Sequence, residues 1–361
     1  MNTSRKSCVT RIRLLMFVLA LISLFASQPT SAKSAVESLP KVGLIPDGPV
    51  DDHSFNQMAY EGLTQAVDEN LVEGHVYQPA GNTDPDYTAA INQCVAELNL
   101  LCLTVGFTMG NATMAAALSN PAVHFGIVDV WWDAPAYPSN LRGITMASDE
   151  AAYLAGSLAG LMTESGHIGI VAGMPIPTVD NFVIPYTFGA QWANHLVDVI
   201  TNYAYDFQHE DVGATLAQSQ IDRGADVIFG VGGSMGNGAI KKAASLSKYC
   251  IGVDVDEYFT AFEGGAVDGS EYLLTSVLKR IDNAVYSTIS DHLNGTFTPG
   301  TYVYDMASGG VGLAPYHETE PDIPPEVISY LETVSTGIMN GSIDVWQPFY
   351  SHAVFLPVIL R

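Results

Sequence analysis

The sequence predicts an α/β protein of two doubly wound lobes, each a parallel sheet covered by helices. Three observations carry this reading. Short apolar runs alternate with segments of helical spacing, the pattern that builds βαβ units and parallel sheets. The pattern restarts after Ser148, so the chain reads as two similar halves. At 361 residues it is long enough for two ordinary domains.

The first half begins with Val42, Leu44 and Ile45, a short buried strand broken by Pro46, Gly48 and Pro49 into a loop. Three carboxylates, Asp47, Asp51 and Asp52, crowd that loop just before a helix whose apolar stripe is Phe55, Ala59, Leu63, Ala66 and Val67. Asp52 or Ser54 is placed to cap it. A strand is expected at 75–78, a helix at 87–98, a strand at 101–105, a turn at 106–111, a helix at 112–118 and a strand at 123–128 that ends at Asp129. Trp131, Trp132, Pro135 and Pro138 mark an irregular stretch running toward Ile144.

In the second half a small-residue helix is expected at 150–162 and a strand at 167–172. A helix containing Phe182, Phe188 and Trp192 follows, kinked or started late by Pro185. Next come a strand at 201–207, a helix at 211–223 and a strand at 227–231. The glycine-rich loop 232–238 then opens a helix at 239–247, and a strand at 251–253 ends at Asp254. The stripe Leu274, Leu278, Ile281, Val285 and Ile289 predicts one long helix over 272–293. A strand near Tyr302, a helix at 325–339 and a strand at 343–346 close the pattern, and 347–361 is an apolar, aromatic tail.

Residues 1–32 read as a cleavable export signal: Arg5, Lys6, Arg11 and Arg13, an apolar run from Leu14 to Ala26, and small residues Thr30 and Ala32 before the cut. The run is short for a membrane span. This segment holds four of the 14 Lys+Arg and none of the 38 Asp+Glu, so the remainder carries 10 basic against 38 acidic residues, a net charge of −28. Such a field repels nucleic acid and anionic membrane surfaces. Export permits a disulfide, and Cys94 and Cys102 are the two cysteines close in sequence. Cys94 falls on an apolar helical stripe and Cys102 in an apolar strand, so the reading leans to buried free thiols over a bond.

Enzyme chemistry finds little support. The loop Gly230-Val-Gly232-Gly-Ser-Met235 breaks the dinucleotide-binding spacing at Met235, and no lysine follows Gly238 as a phosphate-binding loop requires. No cysteine or histidine pair has zinc-ligand spacing, and the histidines are scattered, so a Ser-His-Asp set has little to stand on. Asp51, Asp52 and His53 are adjacent on one short turn, where ligands rarely converge on a metal.

The run D-G-P-V-D-D-H-S-F-N-Q from Asp47 resembles the opening motif of the basic membrane protein (PnrA-like) family of solute-binding proteins of nucleoside ABC importers. Four later stretches resemble it too, in the same order: DVIFGVGGSMGNGAI from Asp226, IGVDVDE from Ile251, LTSVLKRIDNAV from Leu274 and GGVGLAPYHE from Gly309. The resemblance spans Pro40 to Val345. It implies a type I periplasmic-binding fold, with 40–146 plus 255–295 as the first lobe and 147–254 plus 296–346 as the second. It further implies an exported, non-enzymatic monomer without cofactor or metal that captures a nucleoside, purine favoured, and passes it to an ABC permease. A ligand-sensing module of a signalling receptor is the alternative. Many such proteins are lipoproteins, but no cysteine follows the apolar run here, since Cys8 precedes it.

Residue by residue, the resemblance puts Asp254 and the Gly232–Gly233 backbone at the ribose, with Lys279 donating from the other side of the cleft. It makes Phe55 a base-stacking ring and places Asp129 and Asp47 at the base, although the Asp47–Phe55 loop is one residue shorter than the family pattern. The chemistry agrees. A carboxylate at a strand end can accept from two vicinal hydroxyls, and a base needs flat apolar walls. From position, Phe207 at a strand end is the candidate opposite wall, Phe182 its runner-up, and Asn111 a polar contact. The plain alternatives are a core ring for Phe55, a cap for Asp129 and a solvated lysine for Lys279.

Overall fold

The computed structural model describes residues 38–132 and 137–348. The expected export signal, Pro135 and most of the apolar tail lie outside the described residues. Twelve strands among the described residues form two six-stranded sheets.

The first sheet has the order β11-β5-β4-β3-β1-β2, all parallel. Its strands are β1 (Lys41–Pro46), β2 (Glu73–Val76), β3 (Leu101–Val105), β4 (His124–Val128), β5 (Leu141–Met146) and β11 (Gly300–Tyr304). The second has the order β12-β10-β9-β8-β6-β7, parallel except for the β10–β12 pair. Its strands are β6 (His167–Ala172), β7 (Asp198–Tyr203), β8 (Val227–Val231), β9 (Tyr249–Asp254), β10 (Leu273–Lys279) and β12 (Val311–Leu313). Central strands such as LCLTV and VIFGV are buried along their whole length, as strands covered on both faces must be.

The helices are α1 (Phe55–Asp68), α2 (Asp84–Ala96), α3 (Gly110–Ser119), α4 (Ser148–Met162), α5 (Pro177–Ala193), α6 (Glu210–Asp222), α7 (Gly233–Ser245), α8 (Ile281–Leu293) and α9 (Pro325–Met339). Asp52 caps α1: its carboxylate accepts the backbone N–H groups of Ser54, Asn56 and Gln57, each at 3.0 Å. Thr83 and Asp86 form a capping box at the start of α2. Pro185 lies inside α5 without a late start. That helix is held against α4 by backbone contact: a side chain at Gly156 or Gly189 would strike the carbonyl of Tyr186 or Tyr153.

The expected helix over 272–293 is two elements. Residues 273–279 form β10, and only Ile281–Leu293 is helical. The i, i+4 stripe misled because β10, paired on its edges with β9 and β12, is buried along nearly its whole length, and a short run apolar on every side has no period of its own. Leu141–Met146 is a strand where an irregular stretch was expected, and Ile343–Trp346 is turn rather than strand. Val67 lies off the buried stripe of α1. Cys94 on α2 and Cys102 on β3 are joined in a disulfide, with Cα atoms 6.4 Å apart, so the preference for free thiols is overturned. Both cysteines are fully buried, as expected.

The expected lobe boundaries also shift. β10 belongs to the second sheet and β11 to the first, the reverse of the predicted assignment. The chain passes between the lobes near Ala147, at Arg280 and over Asp305–Gly310. These passages are stitched together: Ala147 N–H donates to Tyr304 O at 2.9 Å, Arg280 N–H to Gly310 O at 2.9 Å, and Met306 N–H to a Glu150 carboxylate oxygen at 2.7 Å.

Candidate functional site

In open parallel sheets ligands bind beyond the carboxyl ends of the strands. Here the carboxyl ends of β1, β3 and β4 in one lobe and of β8, β9 and β10 in the other line a cleft of about 600 Å³. That volume is in the range of small-ligand sites.

The first lobe contributes Asp47 after β1, Phe55 and Asn56 at the start of α1, and Asp129 after β4. The second contributes Phe182, Phe207, Gly232, Gly233, Asp254 and Lys279. Nine of the ten residues predicted for the site therefore meet in one cleft. The exception is Asn111, an exposed residue in the first turn of α3, which does not line it.

Asp254 is the last residue of β9, with a left-handed φ of +67° and 7% exposure. Ser54 Oγ, from the other lobe, donates to its Oδ2 at 2.8 Å. Burial raises the Asp254 carboxyl to about 6, with the Lys279 ammonium and the Ser54 hydrogen bond pulling the other way. Ser54 is thus not the side-chain cap of α1; Asp52 has that role, and the serine hydroxyl is free to cross the cleft. Sequence reasoning missed this because a serine before a helix reads as a cap whichever way its hydroxyl turns.

Lys279 ends β10, adjacent to Asp254 on β9, so both leave the same wall rather than opposite ones. Its Nζ lies 2.6 Å from Asp129 Oδ2 of the first lobe and 4.8 Å from the centroid of the Phe55 ring. The ammonium is nearly fully buried, so the lysine is no solvated surface residue. Its charge is engaged across the cleft by a carboxylate and by a ring face.

Phe55 and Phe207 are half-buried, with ring area facing the cleft. Phe207 sits in the loop beyond β7, which ends at Tyr203, rather than on the strand itself. The glycines seat it. A Cβ at Gly173 would strike its ring, and one at Gly232 (φ +141°) would come within 3.1 Å of it. Gly233 already belongs to α7, so the helix starts six residues earlier than the expected Ala239. Phe182 lines the cleft but is 4% exposed and packs edge-to-face on Phe229, which makes it chiefly a core ring.

Asp47 lies where Gly106 (φ +115°) brings backbone so close that a Cβ there would strike the carboxylate. Burial raises the Asp47 carboxyl to about 7, against a hydrogen bond from Asn56, with Asp52 and Asp129 adding like charge. Asn56 was not singled out from the sequence, since an asparagine one residue into a helix carries no signal of its own. Among the described residues no group of three or more side chains is placed to hold a metal ion, and no helix is long and apolar enough to cross a membrane.

Residues 39–347 match the model of a family described as ABC transporter substrate-binding protein PnrA-like. The chain is 32% identical over 319 residues to a CD4+ T-cell-stimulating antigen of Listeria monocytogenes, covering 84% of this chain and 87% of that one. It is 31% identical over 309 residues to the ABC transporter nucleoside-binding protein BmpA of Lactococcus lactis subsp. cremoris, covering 82% and 86%. The fold is similar to that of an ABC transporter solute-binding protein from Aeropyrum pernix K1, with a TM-score of 0.74 at 24% identity over 84% of this chain and 92% of that one.

Proposed function

The chain belongs to the family of PnrA-like ABC transporter substrate-binding proteins, and from that premise we propose that it captures a nucleoside, purine favoured, and delivers it to an ABC importer after export. The observation that carries the reading is the pairing of two kinds of surface in one cleft. Half-buried rings, Phe55 and Phe207, come from opposite lobes, while Asp254 and Lys279 leave adjacent strand ends. Flat apolar walls suit a base, and a buried carboxylate with an ammonium beside it suits vicinal hydroxyls. The similarity to the nucleoside-binding BmpA supports the same ligand class.

The lobes close on the ligand by hinge motion at the three passages. Lys279–Asp129 and Ser54–Asp254 then act as polar bridges between the walls. The protein binds and releases without chemistry. Calorimetry with a panel of nucleosides and free bases, on protein refolded to strip bound ligand, tests this. Affinity near micromolar, about 8 kcal/mol, with the nucleoside recovered intact is expected. Release of free base, or no binding across the panel, refutes it.

A further inference from the structure

Both rings of the cleft are carried by turns, and in each lobe an aspartate holds the turn. In the first lobe Asp52 accepts the backbone N–H groups of Ser54, Asn56 and Gln57, which flank Phe55. In the second, Asp206 Oδ1 accepts the backbone N–H groups of Gln208 at 2.6 Å and His209 at 3.0 Å, the two residues after Phe207. The spacing differs: Asp52 stands three residues before its ring and Asp206 one. What the two turns share is the carboxylate.

The chain around Phe207 is fixed on both sides. It leaves β7 still zipped to β6, with Ala204 N–H donating to Ala172 O at 2.7 Å and Tyr205 N–H to Gly173 O at 2.8 Å. It then reverses at Tyr205, which takes a left-handed φ of +56° although the residue is 70% exposed. A bulky residue keeps that conformation only where its surroundings impose it. Asp206 holds the far side of the reversal, and its Oδ2 also lies 2.7 Å from His209 Nδ1. Beyond it, Phe207 O accepts the N–H of Met235 in α7 at 3.1 Å. Phe207 lines the cleft and Asp206 does not.

We propose that Asp206 is a positioning residue for the base: its carboxylate clasps the turn so that the Phe207 ring stands in the cleft before the ligand arrives. This rests on the nucleoside reading above, with Phe207 as the second wall. A ring that swings freely must be ordered each time it stacks, and that ordering is subtracted from affinity. Fixing the turn in the folded protein removes the cost from the binding step. Gly173 and Gly232 give the ring its seat, and the carboxylate keeps the backbone from carrying it out of that seat. Backbone N–H groups bonded to an ionised carboxylate make a strong clasp for so short a turn.

The test is a double-mutant cycle, read by calorimetry with the tightest-binding nucleoside of the panel and with its free base. Phe207→Ala should weaken both ligands about thirtyfold, through lost stacking and buried area. Asp206→Ala should weaken both about tenfold. The double variant should match Phe207→Ala within about twofold, because a carboxylate that acts through the ring then has nothing to position. Asp206→Asn keeps an oxygen acceptor for the two N–H groups and should stay within about threefold of the wild type.

Losses that multiply in the double variant, or an Asp206→Ala affinity equal to the wild type, overturn the positioning role and leave the nucleoside reading standing. Binding of no nucleoside by the wild type overturns the two together. Hydrogen exchange on the wild type checks the clasp without any variant. The amides of Gln208 and His209 should be protected, and exchange at the rate of an open chain overturns the role.

Discussion

The two walls of the cleft stand on the same scaffold, the carboxyl ends of a parallel sheet, and they differ in charge. The first lobe presents Asp47, Asp51, Asp52 and Asp129, and no cation among the described residues that line the cleft. The second presents Asp254 with Lys279 beside it. Each wall therefore needs the other. Asp129 finds its ammonium across the cleft, and Asp254 finds its hydroxyl donor there as well. Polar groups that pair with partners on the opposite lobe make closure specific to one register of the two walls.

The largest expected effect follows from removing the shared cation. Lys279→Met leaves Asp129 as a charge facing other carboxylates, and breaking a buried ion pair in this way costs about 3–5 kcal/mol. Urea denaturation should show that loss, and an unchanged midpoint would mean the walls do not depend on each other. Phe55→Ala removes ring area and stacking from the first wall alone. It should weaken nucleoside binding by about 1–3 kcal/mol with the fold intact; an unchanged affinity returns Phe55 to the core.

Asp254→Ala acts on the second wall. It should weaken a nucleoside by about 1–3 kcal/mol through lost sugar contacts and leave a free base nearly unaffected. Equal losses for both ligands would show that Asp254 serves only to join the lobes. Ser54→Ala removes one hydroxyl and should weaken binding by about 1 kcal/mol. Because Asp52 supplies the cap, the variant should keep the helix content seen by circular dichroism; a drop would return Ser54 to the capping role.

The last prediction concerns acidity. Asp47 is raised to about 7 in the folded state, so the fold holds its proton where the unfolded chain has released it. That stabilisation is fully present below the unfolded value and is lost as pH rises through 7. Burial of the His124–His292 pair lowers both imidazoles and acts with the opposite sign over the same interval, so the comparison is with Asp47→Asn. Between pH 6 and pH 8 the ligand-free wild type should lose about 1 kcal/mol relative to that variant. Parallel stability curves for the two proteins contradict a protonated Asp47.

How legible this was differed between the same two walls. The first wall is local: Asp47, the carboxylate-rich loop and Phe55 lie within one strand–turn–helix, where spacing and capping chemistry speak directly. The second depends on which strands are neighbours. Lys279 was found through motif resemblance yet placed on a helix, because Leu274, Leu278 and Ile281 match helical spacing while β10 is buried on both faces. Phe207 was found by position, and its seating against Gly173 and Gly232 is invisible until the loops are folded. Asn111 looked equivalent to other residues that follow a strand, but its side chain leaves from an exposed turn. The Cys94–Cys102 bond was missed for a related reason. Burial was read correctly, but two buried sulfurs on neighbouring elements are also within reach of each other.

The exchange of β10 and β11 between the lobes has a consequence for assembly. The first sheet lacks its edge strand until residue 304 is available, and α1 lacks α8, which packs against it, until residue 293. The second sheet likewise waits for β12 at Val311–Leu313. Neither lobe is a continuous segment, so no amino-terminal fragment can complete a domain during synthesis. The chain stays open until nearly all of it has been made, a slow, long-range route to the native state. That delay keeps the polypeptide extended until its carboxy-terminal strands arrive.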